Sequence, residues 1–342
     1  MSAHPTPSDF FGRAPPADDV VIRWAEMLGY YERLASADPL LSVEEIGRDW
    51  SGRPLVALSI GGGQPAPGRR AIAITAGIHA NELGGSQMMP DLVRELLTTR
   101  RSELRSALEL VDVVIVPCVN PGGLDVVADW RERTRGQPWA GSEPPGRTHP
   151  VGHDLNRDWI MLTQPETRAV VERVFNHWRP VIVLDLHEMP PNGPRYALPP
   201  YVKPIDPSLP TSMSHVAGQL GLAIAAKMRR EGKTGVATGL FFDAFSPARA
   251  YPPYHGGVRV LAEAAGTRLG LPAHLSADEL ASAPGFDPRQ PSAAHPCPWQ
   301  GGRWTLADVA DYHRTAVVTT IIEGAHLALD QSEPIASGSF VI

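Results

Sequence analysis

The sequence predicts an α/β protein, a mostly parallel sheet with helices on both faces. Three observations lead there. Apolar, strand-like runs alternate with stretches of helical period along most of the 342 residues. Hydrophobic residues make up 43% of the chain, enough for a large core. Polar motifs recur just past the apolar runs, at the strand ends where such sheets collect ligands.

The elements follow in order. Residues 1–17 are rich in Pro, Ser and Asp and are expected to be disordered, with residues 18–342 forming one domain. Helical period over 20–36 gathers aromatics on one face. A strand pair, LLSVEEIGRDW and PLVALSI, is joined by the turn at Ser51-Gly52-Arg53-Pro54. Strands are then expected at 71–77, 111–116, 181–186 and 257–261, and helices at 87–99, 165–177, 214–230 and 306–322. Two Pro-rich stretches, roughly 136–150 and 284–298, read as surface loops within the domain.

Composition excludes several classes. Charge is mixed, 31 basic against 37 acidic residues for a net −6, and no basic run points to nucleic acid. No apolar stretch reaches the roughly 18 to 20 residues that cross a bilayer, so no membrane role is expected. No charged segment followed by an apolar one marks a signal peptide, and with two cysteines, Cys118 and Cys297, a reduced, cytoplasmic protein is expected.

Chemistry concentrates in five segments. His79 and Glu82, in AIAITAGIHANELGG, follow a strand three residues apart, on one side of a strand-to-helix turn. Imidazole and carboxylate suit a zinc ion. Alone, the pair more often marks an ordinary helix-start histidine with a surface Glu nearby; the motifs further along change that. NPGG at 120–123 reads as a turn or a binding loop. GHDLNRDW crowds Asp154, Asn156 and Arg157 together; the last two can grip a carboxylate, and Asp154 can accept from a ligating histidine's outer N–H. His187 ends the apolar strand VIVLDLHEM and offers a third ligand. Glu263 interrupts the apolar run of GGVRVLAEAAG, where a carboxylate is costly unless paired or functional, and is the candidate general base. The set describes a hydrolytic zinc site with an open position, in which Glu263 deprotonates a zinc-activated water that attacks an amide. Arg131 or Arg133, in DWRERTRG, would stabilise the oxyanion.

These residues resemble the M14 zinc carboxypeptidases, the carboxypeptidase A-like metallopeptidases. The resemblance runs from about Ser42 to the last helix and rests on IGRDWSGRPL, HANE, NPGG, HDLNRDW, DLHEM and VLAEAAG in the family's order. It implies a three-layer α/β/α sandwich around a mixed, mostly parallel eight-stranded sheet and one Zn2+ per chain, making 18–342 the catalytic domain. It implies His79, Glu82 and His187 as ligands and Glu263 as base. Asn156 and Arg157 match the carboxylate-binding pair, and Asp154 the partner of the first histidine. YVKPIDPSLP and PWQGGRW resemble a bacterial branch. Asn81 stands where digestive members carry an Arg, a feature shared with the aspartoacylase and succinylglutamate desuccinylase branch. Glu188 replaces a small residue. The substrate-capping Tyr has no clear match, leaving Tyr251 and Tyr254 as candidates.

The expected function is therefore removal of a C-terminal residue from a peptide. A deacylase or amidase on a small N-acyl amino acid is the alternative, and both take substrates with a free carboxylate. A binding protein on the same scaffold without turnover is the reading of another class. Asp243 and Arg249, in FFDAFSPARAYPPYHGG, are candidates for setting side-chain preference, and oligomeric state is left open.

Overall fold

The computed structural model describes residues 4–16, 20–144, 151–240, 242–243 and 251–329. The chain opens with helices α1 (Pro7–Phe11) and α2 (Trp24–Ala35), followed by strands β1 (Leu41–Arg48), β2 (Pro54–Ile60) and β3 (Arg70–Thr75). Next come α3 (Leu83–Thr98), α4 (Ser102–Leu110), β4 (Val111–Val116) and α5 (Pro121–Arg133). Helix α6 (Pro165–Val170) passes through a wider π turn at Val171–Phe175 into α7 (Asn176–Trp178), which leads to β5 (Ile182–Met189). Short strands β6 (Tyr196–Leu198) and β7 (Val202–Ile205), helix α8 (Thr211–Arg230), β8 (Val236–Thr238) and β9 (Phe242–Asp243) follow. The rest comprises α9 (Tyr251–Tyr254), β10 (Val258–Ala265), β11 (Ala273–Ser276), β12 (Gly301–Trp304) and α10 (Leu306–Leu329).

Eight strands form one mixed sheet in the order β1-β2-β4-β3-β5-β10-β6-β8. Its centre, β4-β3-β5-β10, is parallel, while β1, β2 and β6 add antiparallel pairings. Strand β3 lies between β4 and β5, so the chain moves to one side of β3 after α4 and to the other after α7. That reversal opens a crevice at the carboxyl end of β3, the place where open α/β sheets bind ligands.

Alternation along the central strands divides the core. Ile72, Ile74, Leu184, Leu186, Val260 and Ala262 face a layer that includes α2, α3, α8 and α10. Ala73, Val114, Val116 and Val183 face the smaller layer formed by Val170, Val174, Phe175 and Trp178. This is the mixed eight-stranded sheet with helices around it that the resemblance implies.

The differences are local. Residues 7–11, expected to be disordered, form α1: Thr6 caps it by accepting from Asp9 N, and Phe11 packs beside Tyr30 at 5.3 Å. Helix α4 was not anticipated, and NPGG begins α5 instead of a simple turn. Strand β10 runs to Ala265, past the expected end at 261, so Glu263 lies inside it. Among the described residues, no helix is long and apolar enough to cross a membrane.

Candidate metal centre and cleft

Strand register brings the distant residues together. Thr75 of β3 pairs with Asp185 of β5, and His187 pairs with Glu263 of β10. Period-two alternation puts Asp185 and His187 on one face of β5, with Arg259 and Glu263 on the same face of β10. Past β3 the backbone turns at Gly77 (φ 65°), where a Cβ would sit 3.1 Å from Cys118 Sγ. Asn120 N donates to Gly77 O at 3.0 Å, and the Asn120 side chain caps α5 by accepting from Gly123 N. NPGG therefore braces the turn carrying His79 and starts a helix.

His79, Glu82 and His187 meet at one point. One donor atom from each lies within 4.8 Å of the other two. His79 Nδ1 is 2.7 Å from Glu82 Oε1, and His187 Nδ1 is 3.2 Å from Glu82 Oε2. The far nitrogens are engaged elsewhere: His79 Nε2 lies 3.1 Å from Asp154 Oδ1, and His187 Nε2 lies 3.0 Å from Asp185 Oδ2. Two imidazoles thus turn the same nitrogen toward a shared carboxylate, each backed by an acid. That donor set, with its outer hydrogen bonds, fits a zinc ion.

Burial and charge set the protonation preferences. Burial alone would lower His79, but its bonds to Asp154 and Glu82 outweigh it and lift the imidazole to about 9. Against the same burial, the charge of Asp185 holds His187 well above its ordinary value. Burial works to raise Glu82, yet the two histidines pull it down to about 2. These acids favour protons on both rings, at the positions a divalent ion would take. Glu263 is raised, chiefly by burial, with Glu82 pushing it up and His187 and Arg259 opposing. Glu188 rises to about 8 through burial and the nearby Glu82 charge.

Several of these contacts were not anticipated. Asp185 accepts from Thr75 Oγ1 at 2.8 Å and from Arg259 Nε at 3.2 Å, a buried relay behind His187. Its signal was present in DLH, two residues before the histidine on a strand. Glu188 Oε1 accepts from Gly84 N at 2.5 Å, tying β5 to the start of α3.

A cavity of about 440 Å3 opens over the cluster. Its lining includes His79, Glu82, Asp154, Arg157, Glu188 and Thr267. Arg157 is half exposed, and its Nη1 donates to Asn156 O. Asn156 is buried, and its Oδ1 accepts from Trp159 Nε1 at 3.1 Å. The remaining candidates sit apart from this lining. Arg131 is buried in the last turn of α5 and lines a separate cavity with Val20, Val21 and Arg23. Arg133 is exposed and stacks on Trp130. Tyr254 donates to Asp206, and Tyr251 donates to Asn176 Oδ1 while stacking on His255. Arg249 lies outside the described residues, and only the backbone of Asp243 is described.

Comparison with known proteins places this geometry. The chain is 34% identical over 119 residues to the Inactive metallocarboxypeptidase ECM14 of Saccharomyces cerevisiae, a match over 34% of this chain and 26% of that protein. It is 26% identical over 168 residues to Carboxypeptidase 2 of Trichophyton rubrum, covering 47% of this chain and 28% of the relative. The matches thus span little more than a quarter of the length of these relatives. Among solved structures, a metallo-carboxypeptidase from Burkholderia cenocepacia superposes with a TM-score of 0.56 at 17% identity, over 91% of this chain and 70% of that one. Residues 27–235 match the family described as Zinc carboxypeptidase, a stretch that holds His79, Glu82 and His187 and stops short of Glu263. The chain belongs to the M14 zinc carboxypeptidase family.

Proposed function

We propose that this protein is a zinc-dependent metallocarboxypeptidase that removes the C-terminal residue of a peptide. One observation carries the reading: His79, Glu82 and His187 converge beneath an open cleft, and Glu263 pairs with His187 across adjacent strands. His79, Glu82 and His187 would hold the ion. When bound, zinc acidifies water and polarises a carbonyl. Glu263, raised by burial and with its face toward the cluster, takes the proton of the attacking water and returns it to the departing amine. Arg157 receives the substrate carboxylate with a guanidinium fork, and Asn156, whose carbonyl engages that guanidinium, positions it. Asp154 and Asp185 hold the two imidazoles in one tautomer. Oxyanion stabilisation by Arg131 or Arg133, and substrate capping by Tyr251 or Tyr254, would require these side chains to leave their present partners.

The alternative, a deacylase of small N-acyl amino acids, rests on Asn81, which stands where digestive members carry an Arg. Asn81 Nδ2 donates to Glu143 Oε1 at 3.0 Å, and both line the cleft. A binding role without turnover is the competing class, because one relative is named as inactive. The chemically complete set of His79, Glu82, His187 and Glu263 stands against it. A cytoplasmic setting agrees with two free thiols, Cys118 and Cys297.

The test is hydrolysis by zinc-loaded protein of N-blocked dipeptides, their C-terminal amides, and acetylated single amino acids. Cleavage of the free-carboxylate dipeptides alone supports the peptidase; preference for acetyl amino acids supports the deacylase. Zinc-replete protein inert on all three overturns both.

A further inference from the structure

Helix α3 begins directly after Glu82, and its first turn, Leu83 to Ser86, is buried. Buried N–H groups at a helix start have no partner within the helix and must find one outside it. The side chain of the capping residue, two or three positions earlier, ordinarily supplies it. In α3 that residue is Glu82, whose side chain makes no capping bond. Its Oε1 lies 2.7 Å from His79 Nδ1. Its Oε2 lies 3.2 Å from His187 Nδ1 and accepts from Glu188 N at 3.0 Å. Both oxygens are committed to the cluster.

Glu188 supplies the bond that Glu82 does not. Its Oε1 accepts from Gly84 N at 2.5 Å, and its carboxyl group also accepts from the backbone N–H of Thr267. A Cβ added at Gly84 would lie 3.0 Å from Glu188 Oε1, and one at Gly266 would lie 2.9 Å from Oε2. The side chain therefore fits closely between two positions that lack a Cβ. The contact with α3 is reciprocal: the backbone of Glu188 holds the Glu82 carboxylate, and its side chain holds the backbone two residues on. Register pairing between β3 and β5 ends at Thr75 and Asp185, so this link lies beyond the sheet's own hydrogen bonds.

We propose that Glu188 is a positioning residue that caps α3 in place of Glu82 and so keeps the Glu82 carboxylate turned toward the metal. Without the Glu188 side chain, Gly84 N is left two residues past Glu82, within ordinary capping reach of its carboxylate. That carboxylate then divides its time between α3 and the two imidazoles, and the fraction turned to α3 is lost to the ion. The proposal rests on the metallocarboxypeptidase reading in taking His79, Glu82 and His187 as the zinc ligands.

The experiment uses the full chain as wild type, Glu188→Ala and Glu188→Gln. Zinc affinity is measured by competition against a chromophoric chelator, and chemical denaturation is followed on zinc-free and zinc-loaded samples. Glu188→Ala is expected to weaken zinc binding about tenfold and to shrink the zinc-induced rise in the unfolding midpoint. Glu188→Gln keeps an acceptor oxygen for Gly84 N and should recover most of the affinity. A role in folding alone would lower the zinc-free midpoint and leave zinc affinity at the wild-type value; that result overturns the proposal. So does a Glu188→Gln protein that binds zinc no better than Glu188→Ala. Should Glu188→Ala fail to fold, amide exchange on the wild type decides the matter. Gly84 N–H should be protected with and without zinc, and protection in only one of the two states overturns the proposal. A wild-type protein that takes up no zinc overturns the metallocarboxypeptidase reading instead, and Gly84 protection then shows separately whether Glu188 caps α3.

Discussion

Asp185 and His187 lie two residues apart on the same face of β5, with Asp185 Oδ2 3.0 Å from His187 Nε2. The arrangement turns His187 Nδ1 toward Glu82, where a metal would sit, and fixes the ring against rotation. Arg259 and Thr75 in turn hold the carboxylate. Asp185→Asn, close in shape but without the charge, should weaken zinc affinity about 10- to 100-fold. Competition against a chromophoric chelator measures it; unchanged affinity would show that Asp185 does not support the site.

Arg157 lines the cleft, half exposed, with its Nη1 donating to the Asn156 carbonyl and 3.9 Å from Asp154 Oδ2. Arg157→Ala should lower kcat/KM for free-carboxylate dipeptides about 10- to 100-fold, because a charged hydrogen bond is lost. The wild type's preference for free-carboxylate over amidated dipeptides should shrink by the same factor. Equal losses on both substrates would mean that Arg157 does not read the carboxylate.

His313 lies fully buried on α10, with its Nδ1 2.9 Å from the Tyr196 hydroxyl, and burial drives it down to about 3. Between pH 6.5 and 3 the unfolded chain therefore binds a proton that the native protein refuses, and stability falls as the pH drops through that window. By pH 5 the loss is about 2 kcal/mol relative to neutral pH. His313→Gln keeps an acceptor for Tyr196 and removes the titration. Chemical denaturation at several pH values should show the variant gaining on the wild type as pH falls from 7 to 5. A constant gap would sink the assignment.

Gly84 begins the first turn of α3, where its N–H holds Glu188. A Cβ there would sit 2.2 Å from Val309 Cγ1 and 3.0 Å from Glu188 Oε1. Gly84→Ala should cost about 1–3 kcal/mol by forcing α10 and α3 apart. The unfolding midpoint should fall and zinc affinity with it; a midpoint equal to the wild type's would show that the two helices separate freely.

The sheet was legible because its central strands are long and apolar: AIAIT, VDVVIV and VIVLDLH each read as buried strands without ambiguity. The short strands β6 and β8, three residues each, carry no periodicity to detect and come from pairing with β10 and with each other. The convergence of His79, Glu82 and His187 was legible because parallel strands end together and ligands gather there. Asp185 was missed although alternation places it beside His187. The packing of Arg195 against Trp299 and Trp304 could not be read at all, because these partners lie more than a hundred residues away and meet it only in the folded chain. Arg131 lies away from the cleft lining in this structure. It was named with Arg133 because an oxyanion needs a positive partner, and α5 carries it to another cavity.

Glu263→Gln is the measurement that bears most directly on the whole account. The variant should bind one zinc per chain as the wild type does, because Glu263 is not among the three converging donors, and its kcat on an N-blocked dipeptide should fall by about 10²- to 10⁴-fold. A variant that keeps the wild-type rate, or a wild-type protein that takes up no zinc, would contradict it.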